Sequence, residues 1–446
     1  MNPEILQRYA APVPRYTSYP TAPHFTNAVD AATYGQWLRA LPSGSALSLY
    51  VHIPFCNQLC WYCGCTTKAT RQYHPVADYM TALLEEISTV ADLMPRDCRT
   101  VHMHWGGGSP SILSPDDIRR LADAIHSRFQ RDPAAEFAVE VDPRFFDAER
   151  IAAFSDAGVN RVSVGVQDFD PAVQKAINRT QTVEMTRSVV EKFRAAGVRS
   201  VNIDLVYGLP YQTRQSIDRT LDEVLALAPD RIALFGYAHL PSRLKHQRLI
   251  PDEALPNITE RFAQANRAAN RLVAAGYVRI GLDHFARPED ALARGPVHRN
   301  FQGYTTDAAD ALIGFGASAI GKLPQGYVQN TPVTPDYERR VLAGDLATVR
   351  GRALTDEDRA RGLIIERLMC DLRFPAAELK AQFPEQAGSL IEEAEALLES
   401  DTDGLVVPHS EDVFRVTEKG RAFLRSICAC FDAYLGQGEV RHSVGV

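Results

Sequence analysis

The chain has 446 residues, 45% hydrophobic and 23% charged, a globular composition with room for a large core and a smaller appendage. Its formal net charge of -7 argues against a general nucleic-acid binder, which carries a basic balance or stripe. No apolar run approaches the roughly 18 residues of a membrane span, and the N-terminus lacks the apolar region of a secretory signal, so a cytoplasmic protein with no membrane contact is expected.

Residues 1–45 are rich in Pro, Tyr and Thr, and the prolines from Pro12 to Pro23 predict an extended N-terminal arm. Short apolar runs then alternate with amphipathic stretches. Strands are expected near Leu47–Ile53, Val101–Trp105, Glu136–Val141, Arg161–Val166, Val201–Val206 and Ile232–Ala238. Helices are expected at Tyr79–Val90, Ser114–Phe129, Ala148–Ala157, Val183–Ala196 and Arg214–Ala226, with Gly158 and Gly197 as stops. Strand-then-helix units in series predict an α/β fold with a parallel sheet, and their number suits a partial (β/α)6 TIM-like barrel. A doubly wound open sheet is the competing architecture.

Beyond Leu240 the pattern loosens, with further strands or turns at Gly276–Phe285 and Ala311–Ile320. The barrel with its extension is expected over residues 46–340. Residues 350–446 read as a mainly helical, winged-helix-like C-terminal domain. Its helices are expected at Asp356–Met369, Ala376–Phe383 and Ser389–Glu399. A hairpin pairs Leu405–Val407 with Val413–Val416, and a last helix covers Thr417–Leu435.

Four of the eight cysteines, Cys56, Cys60, Cys63 and Cys65, fall in HIPFCNQLCWYCGC, which points to metal or redox chemistry rather than a disulfide frame. Cys56, Cys60 and Cys63 form C-x3-C-x2-C. Three thiolates suit three irons of a 4Fe–4S cluster and leave the fourth iron open. Zinc, with Cys65 or His52 as fourth ligand, and three cysteines buried on one helix face are the alternatives. Pro54 and Gly64 favour a loop after a strand over the helix.

Other candidate residues fall at strand ends, where a barrel forms its active site. Gly106, Gly107, Gly108 and Ser109 follow the second strand, where glycine lets backbone approach a ligand. Glu140 and Asp142 end the third strand, Gln167 the fourth, Asp204 lies in the fifth and Ala238 ends the sixth. Arg179 lies in a loop. No Lys-Ser/Thr follows the glycines, which disfavours a P-loop.

C-x3-C-x2-C directly after the first strand resembles the radical S-adenosylmethionine family. RYTSYPT (Arg15–Thr21), YVHIPFC, HWGGGSP, EVDPR, GVQDF, DLVYGLP, YAHLP and RNFQGYTT (Arg299–Thr306) together resemble its oxygen-independent coproporphyrinogen III oxidases, in order along nearly the whole chain. The resemblance implies that Cys56, Cys60 and Cys63 hold the cluster. It places Tyr50, Gly107, Glu140 and Ile320 around a first S-adenosylmethionine. Tyr62, Gly108, Ser109, Gln167, Arg179, Asp204 and Ala238 surround a second. Tyr50, His52, Phe301 and Gln302 are implied at the reaction centre, His52 as proton relay or hydrogen-bond donor. Tyr62 stands where Phe is expected, and Ser109 where Thr is usual.

The implied reaction is carried by a 5′-deoxyadenosyl radical. It takes a hydrogen from the propionate carbon beside the pyrrole, and loss of carbon dioxide and an electron leaves a vinyl group. Two rounds convert coproporphyrinogen III to protoporphyrinogen IX. Arg15, Arg294 and Arg299 are candidates for the substrate carboxylates, because the guanidinium fork matches a carboxylate. The arm is a candidate lid. The implied partners are the substrate and a low-potential donor such as flavodoxin or ferredoxin, for a monomeric enzyme. The alternative is a haem chaperone of the same family without decarboxylase activity. Those chaperones lack the arm and carry an aromatic at the position of Cys65, a non-ligating residue in the enzymes.

Overall fold

The structure is a computed structural model that describes residues 3–436, so residues 437–446 of the expected C-terminal domain and the first two of the arm lie outside it. Its centre is a twelve-stranded sheet. In chain order the strands are β1 (Ala46–Ile53), β2 (Arg99–Gly107), β3 (Gln130–Val141), β4 (Arg161–Gln167), β5 (Ser200–Tyr207), β6 (Arg231–Gly236), β7 (Val278–Ile280), β8 (His284–Ala286), β9 (Ala311–Phe315), β10 (Ile320–Leu323), β11 (Gly326–Asn330) and β12 (Thr348–Ala353). Their order in the sheet is β12-β11-β10-β9-β1-β2-β3-β4-β5-β6-β8-β7.

Strands β1 to β6 run parallel and neighbour one another in chain order. Right-handed crossovers in unbroken order place the long crossover helices on one face. A doubly wound sheet needs a reversal of order, and β1 to β6 have none. Successive helices accordingly pack side by side: His74–Leu93 on Pro115–Arg128, that on Ala148–Asp156, and that on Val183–Ala195. Arg214–Ala226 packs on Ile258–Ala274. The result is a partial barrel, extended beyond β1 by β9 to β12 and beyond β6 by β8 and β7.

The two faces of each strand differ in chemistry. Leu47, Leu49, Val51 and Ile53 of β1, Met103 and Trp105 of β2, and Phe137, Val139 and Val141 of β3 join the core beneath the helices. Val162, Val164 and Val166 of β4 and Val201, Ile203 and Leu205 of β5 join them. Because side chains alternate, the intervening Tyr50, His52, His104, Glu140, Ser163, Gln167 and Asp204 face the barrel interior. A polar lumen of this kind is a place for ligands.

The sequence-predicted elements hold, with several corrections. The arm is not wholly extended: it contains helices Pro3–Arg8 and Ala31–Arg39. The second is capped by Asp30, whose side chain accepts from Thr33 N, and it buries Tyr34 and Leu38 on one face. Where the pattern loosens after Leu240, a long helix, Ile258–Ala274, forms; its buried face is Gln264, Ala268, Ala269 and Leu272, too weakly apolar to signal itself. The expected final helix Thr417–Leu435 is broken into Glu418–Arg421 and Leu424–Ala429. Phe423 leaves helical geometry between them, with φ -110° and ψ 17°, and its ring is buried.

A second core joins the C-terminal helices and the hairpin Val406–His409/Val413–Val416 to Leu6, Tyr16 and Tyr19 of the arm. The Tyr16 hydroxyl donates to Asp432 at 3.0 Å, and Arg425 donates to the carbonyls of Val13 and Pro14. The arm is thereby tied to the C-terminal helices.

Candidate active site

The cysteine loop leaves β1 at Pro54 and closes on itself. Lys68 N donates to Pro54 O and Thr70 N to Cys56 O, both at 2.9 Å. Cys60 is buried, Cys56 and Cys63 are half-buried, and Cys65 is exposed. The three sulfurs border one cavity of about 950 Å3. Each has its own hydrogen-bond partner. Thr67 Oγ1 lies 3.2 Å from Cys56 Sγ, the guanidinia of Arg144 and Arg179 each reach Cys60 Sγ at 3.5 Å, and Cys65 N donates to Cys63 Sγ at 3.4 Å. Burial pushes the Cys56 thiol up to about 12 despite Thr67, whereas hydrogen bonds from Cys65 bring Cys63 down to about 7. Among the described residues no group of three or more His, Cys, Asp or Glu side chains is drawn together closely enough to hold a metal ion. Donors to all three sulfurs nonetheless fit an anionic thiolate cluster, whose charge such bonds stabilise.

The glycine segment is stitched to this loop. Gly108 N donates to Ile53 O and Ser109 N to Phe55 O, both at 2.8 Å. A Cβ on Gly108 would lie 2.5 Å from Phe55 O and 2.6 Å from Thr67 Oγ1. Gly107 has φ +102°, and a Cβ there would meet the His52 ring at 2.3 Å. Neighbouring protein groups, rather than a ligand alone, require these glycines.

Glu140 accepts from His104 Nε2 and Gly107 N, both at 3.1 Å. Burial alone would raise its carboxyl, but those two donors hold it below the usual range. Asp142 is engaged in an ion-pair cluster, 2.7 Å from Arg144 Nη2 and 3.3 Å from Arg179 Nη1. Arg179 also donates to Gly165 O at 2.6 Å, so one buried guanidinium joins Cys60, the end of β3 and β4. Gln167 has φ +68°, a strained conformation for a non-glycine residue, at the irregular end of β4. Asp204 accepts from Ser163 Oγ and Asn202 Nδ2, both at 2.8 Å, and burial raises its carboxyl. Ala238 lies two residues beyond the end of β6. Its carbonyl and that of Tyr62 each accept from Gln247 Nε2 at 3.1 Å.

The cavity thus gathers Cys56, Cys60, Tyr62, Cys63, Gly107, Gly108, Ser109, Glu140, Gln167, Arg179, Asp204 and Ala238. Tyr50, His52 and Ile320 are not among its lining residues. The His52 ring is fully used: Nε2 lies 2.9 Å from Thr66 O, which only accepts, so Nε2 carries the proton. Nδ1 therefore accepts from Tyr50 Oη at 3.0 Å. This geometry makes His52 a clamp on the cysteine loop, with Nε2 donating and Nδ1 accepting. Ile320 begins β10, beyond the turn from Gly316 that abuts the His52 carbonyl.

Phe301 and Gln302 form the turn of a hairpin whose arms are His298–Asn300 and Gly303–Thr305. They line a second cavity of about 350 Å3, as do Arg15 and Arg299. Arg15, Cys65, Phe235, Gly236 and Tyr237 line both cavities, so the two adjoin. Arg294 lines neither; its Nε donates to Pro288 O at 3.0 Å. Arg144, His104, Gln247 and His246, whose Nε2 lies 2.7 Å from Cys63 O, were not legible as site residues. His104 and Arg144 stand at the ends of HWGGGSP and EVDPR, so both were in view there without a role.

Comparison with known proteins adds independent findings. Residues 50–224 match the Radical SAM superfamily model and residues 354–423 the HemN C-terminal domain model. The oxygen-independent coproporphyrinogen III oxidase of Bradyrhizobium diazoefficiens is 48% identical over 438 residues, 97% of each chain. That of Pseudomonas aeruginosa is 41% identical over 440 residues, 97% of this chain and 95% of the relative. Among solved structures, coproporphyrinogen III oxidase (HemN) from Escherichia coli, described as a radical SAM enzyme, superposes with a TM-score of 0.89 at 40% identity, covering 94% of this chain and 98% of that one.

Proposed function

The chain belongs to the family of oxygen-independent coproporphyrinogen III oxidases, radical S-adenosylmethionine enzymes, and from that membership we propose how its residues divide the work. The reaction is the oxidative decarboxylation of two propionates of coproporphyrinogen III to vinyl groups, giving protoporphyrinogen IX in haem biosynthesis. A 4Fe–4S cluster and S-adenosylmethionine are its cofactors. Bound together, they supply a 5′-deoxyadenosyl radical.

Cys56, Cys60 and Cys63 hold the cluster, while Thr67, Arg144, Arg179 and Cys65 N stabilise the thiolate charge. Tyr50, Gly107, Glu140 and Ile320 shape the site of one S-adenosylmethionine. Glu140, held ionised by His104 and Gly107 N, offers a carboxylate to an ammonium or ribose hydroxyl. Tyr62, Gly108, Ser109, Gln167, Arg179, Asp204 and Ala238 shape the site of a second, which suits a reaction repeated on two propionates. Phe301 and Gln302 meet the substrate from the adjoining cavity. Residues 3–45 cover the mouth, 46–340 form the catalytic barrel, and 350–436 pin the arm. The protein works as a cytoplasmic monomer supplied by a low-potential donor such as flavodoxin or ferredoxin.

The observation that carries this reading is the placement of three hydrogen-bonded cysteine sulfurs on the same cavity as the polar ends of β3, β4 and β5. The test is anaerobic: the protein is reconstituted with iron and sulfide, reduced, and given S-adenosylmethionine with coproporphyrinogen III. Protoporphyrinogen IX and 5′-deoxyadenosine are the expected products by mass. Cofactor cleavage without vinyl product would point to another substrate. Intact cofactor on a reduced cluster would favour haem carriage.

A further inference from the structure

The second cavity has a charge balance the cofactors do not explain. Arg15, Arg261, Arg279, Arg299 and Arg425 line it, against the single carboxylate of Asp283. Some of this charge serves the backbone. Arg15 donates to Gly236 O at 3.0 Å and Arg425 to the arm. Arg261 spends Nη1 on Tyr237 O at 2.8 Å.

Arg299 is different. Its side chain is only 6% exposed and its guanidinium lies 4.4 Å from the centre of the Tyr304 ring. Nη2 makes a long bond to Arg15 O at 3.3 Å, while Nε and Nη1 have no hydrogen-bond partner; the Asp283 carboxylate is 3.9 Å away. Arg279 donates through Nη2 to Leu282 O at 3.1 Å and leaves Nε without a partner. At the cavity edge, Gln302 Nε2 is likewise buried without a partner. Buried donors left unmade cost stability and are retained where a ligand completes them. One carboxylate cannot neutralise this wall. Burial would raise Asp283, yet the His284 hydrogen bond and the charges of Arg299 and Arg15 hold it at about 2.

We propose that this cavity is the carboxylate-recognition half of the substrate site. In it Arg299 and Arg279, with Arg261 and Gln302 beside them, bind the propionates that do not react. The inference rests on the assignment of coproporphyrinogen III as substrate. A tetra-acid anchored there by two carboxylates presents its remaining propionates across the shared wall of Arg15, Cys65 and Gly236, towards the cavity bordered by the cysteines. Planar guanidinia suit this task because each makes two parallel bonds to one carboxylate.

The test uses the reconstituted holoenzyme and the variants Arg299→Gln, Arg279→Gln and Arg299→Lys, checked for folding and cluster loading by circular dichroism and electron paramagnetic resonance. Loss of a charge-assisted bond predicts a KM for coproporphyrinogen III raised about ten- to a hundredfold in each Gln variant. The dissociation constant for S-adenosylmethionine should not move, and Lys should restore part of the loss. A purely structural arginine would lower the active fraction and leave KM alone. Unchanged KM in both folded, loaded Gln variants overturns the proposal. If the wild type fails to turn over coproporphyrinogen III, the substrate assignment itself has failed. Binding of coproporphyrin III against its tetramethyl ester, followed by porphyrin fluorescence, then still decides for the arginines. Preference for the acid that Arg299→Gln abolishes supports them, and equal binding of both by the wild type overturns them.

Discussion

Gly107 shows how closely the cysteine loop and the second strand are fitted. Its φ of +102° and the 2.3 Å that would separate a Cβ from the His52 ring leave no room for a side chain. Gly107→Ala is therefore expected to displace His52 from Thr66, cost roughly 2 kcal/mol or more, and reduce cluster loading. Gly64→Ala, where a Cβ meets nothing within 4 Å, is expected to leave the denaturation midpoint in place. Equal midpoints for both variants would show that the fit is slack. The glycine run was legible in the sequence, but its reason was only half so. Close approach was expected to a ligand, whereas the space is taken by His52, Phe55 O and Thr67, neighbours that only folding supplies.

At the level of elements, the helix His74–Leu93 fixes the far edge of the site through one buried acid. Glu86 accepts from Gly316 N, Asn330 Nδ2 and Tyr337 Oη, at 2.6, 2.6 and 2.7 Å, and so ties the turn beyond β9 to β11. Burial pushes its carboxyl up to about 7 from an ordinary 4.5, against the pull of those donors. Between these values the folded state keeps a proton that the unfolded chain releases. Stability from this group therefore falls as pH rises through that window and levels off above it. Relative to Glu86→Gln, which cannot titrate, the wild type should lose roughly 2–3 kcal/mol between pH 5 and pH 8, read from urea melts of the two proteins. Parallel profiles would mean that Glu86 is ionised throughout. The helix was readable from its apolar spacing. The burial of Glu86 was not, because an acid on an amphipathic helix looks the same whether it faces water or Tyr337.

Across the whole molecule, the arm joins two units that the chain places at opposite ends. Leu6, Tyr16 and Tyr19 complete the C-terminal core, while Val13, Pro14 and Arg15 wall the main cavity. Removing residues 1–20 strips three large side chains from that core, each worth about 1.5–3 kcal/mol. It also opens the cavity to water. The truncated protein should still load its cluster, since the arm is not among the hydrogen-bond partners of the cysteine sulfurs. It is expected to melt lower and to form little or no protoporphyrinogen IX. Full turnover after truncation would remove the arm from the site.

The sequence by itself determined the parallel strand–helix units, the cysteine loop after the first strand, and the polar residues at strand ends. Each is written in local spacing: period-two and helical periodicity, turn residues, and the C-x3-C-x2-C pattern. Tertiary structure alone decided which side chains those residues meet. It turned His52 into a clamp with both ring nitrogens occupied, drew Arg144 and Arg179 onto Cys60, and gathered arginines from five distant segments around Asp283. Such contacts depend on sheet order and on which face of a strand looks inward, and both are fixed only when the apolar faces of all the elements are buried together.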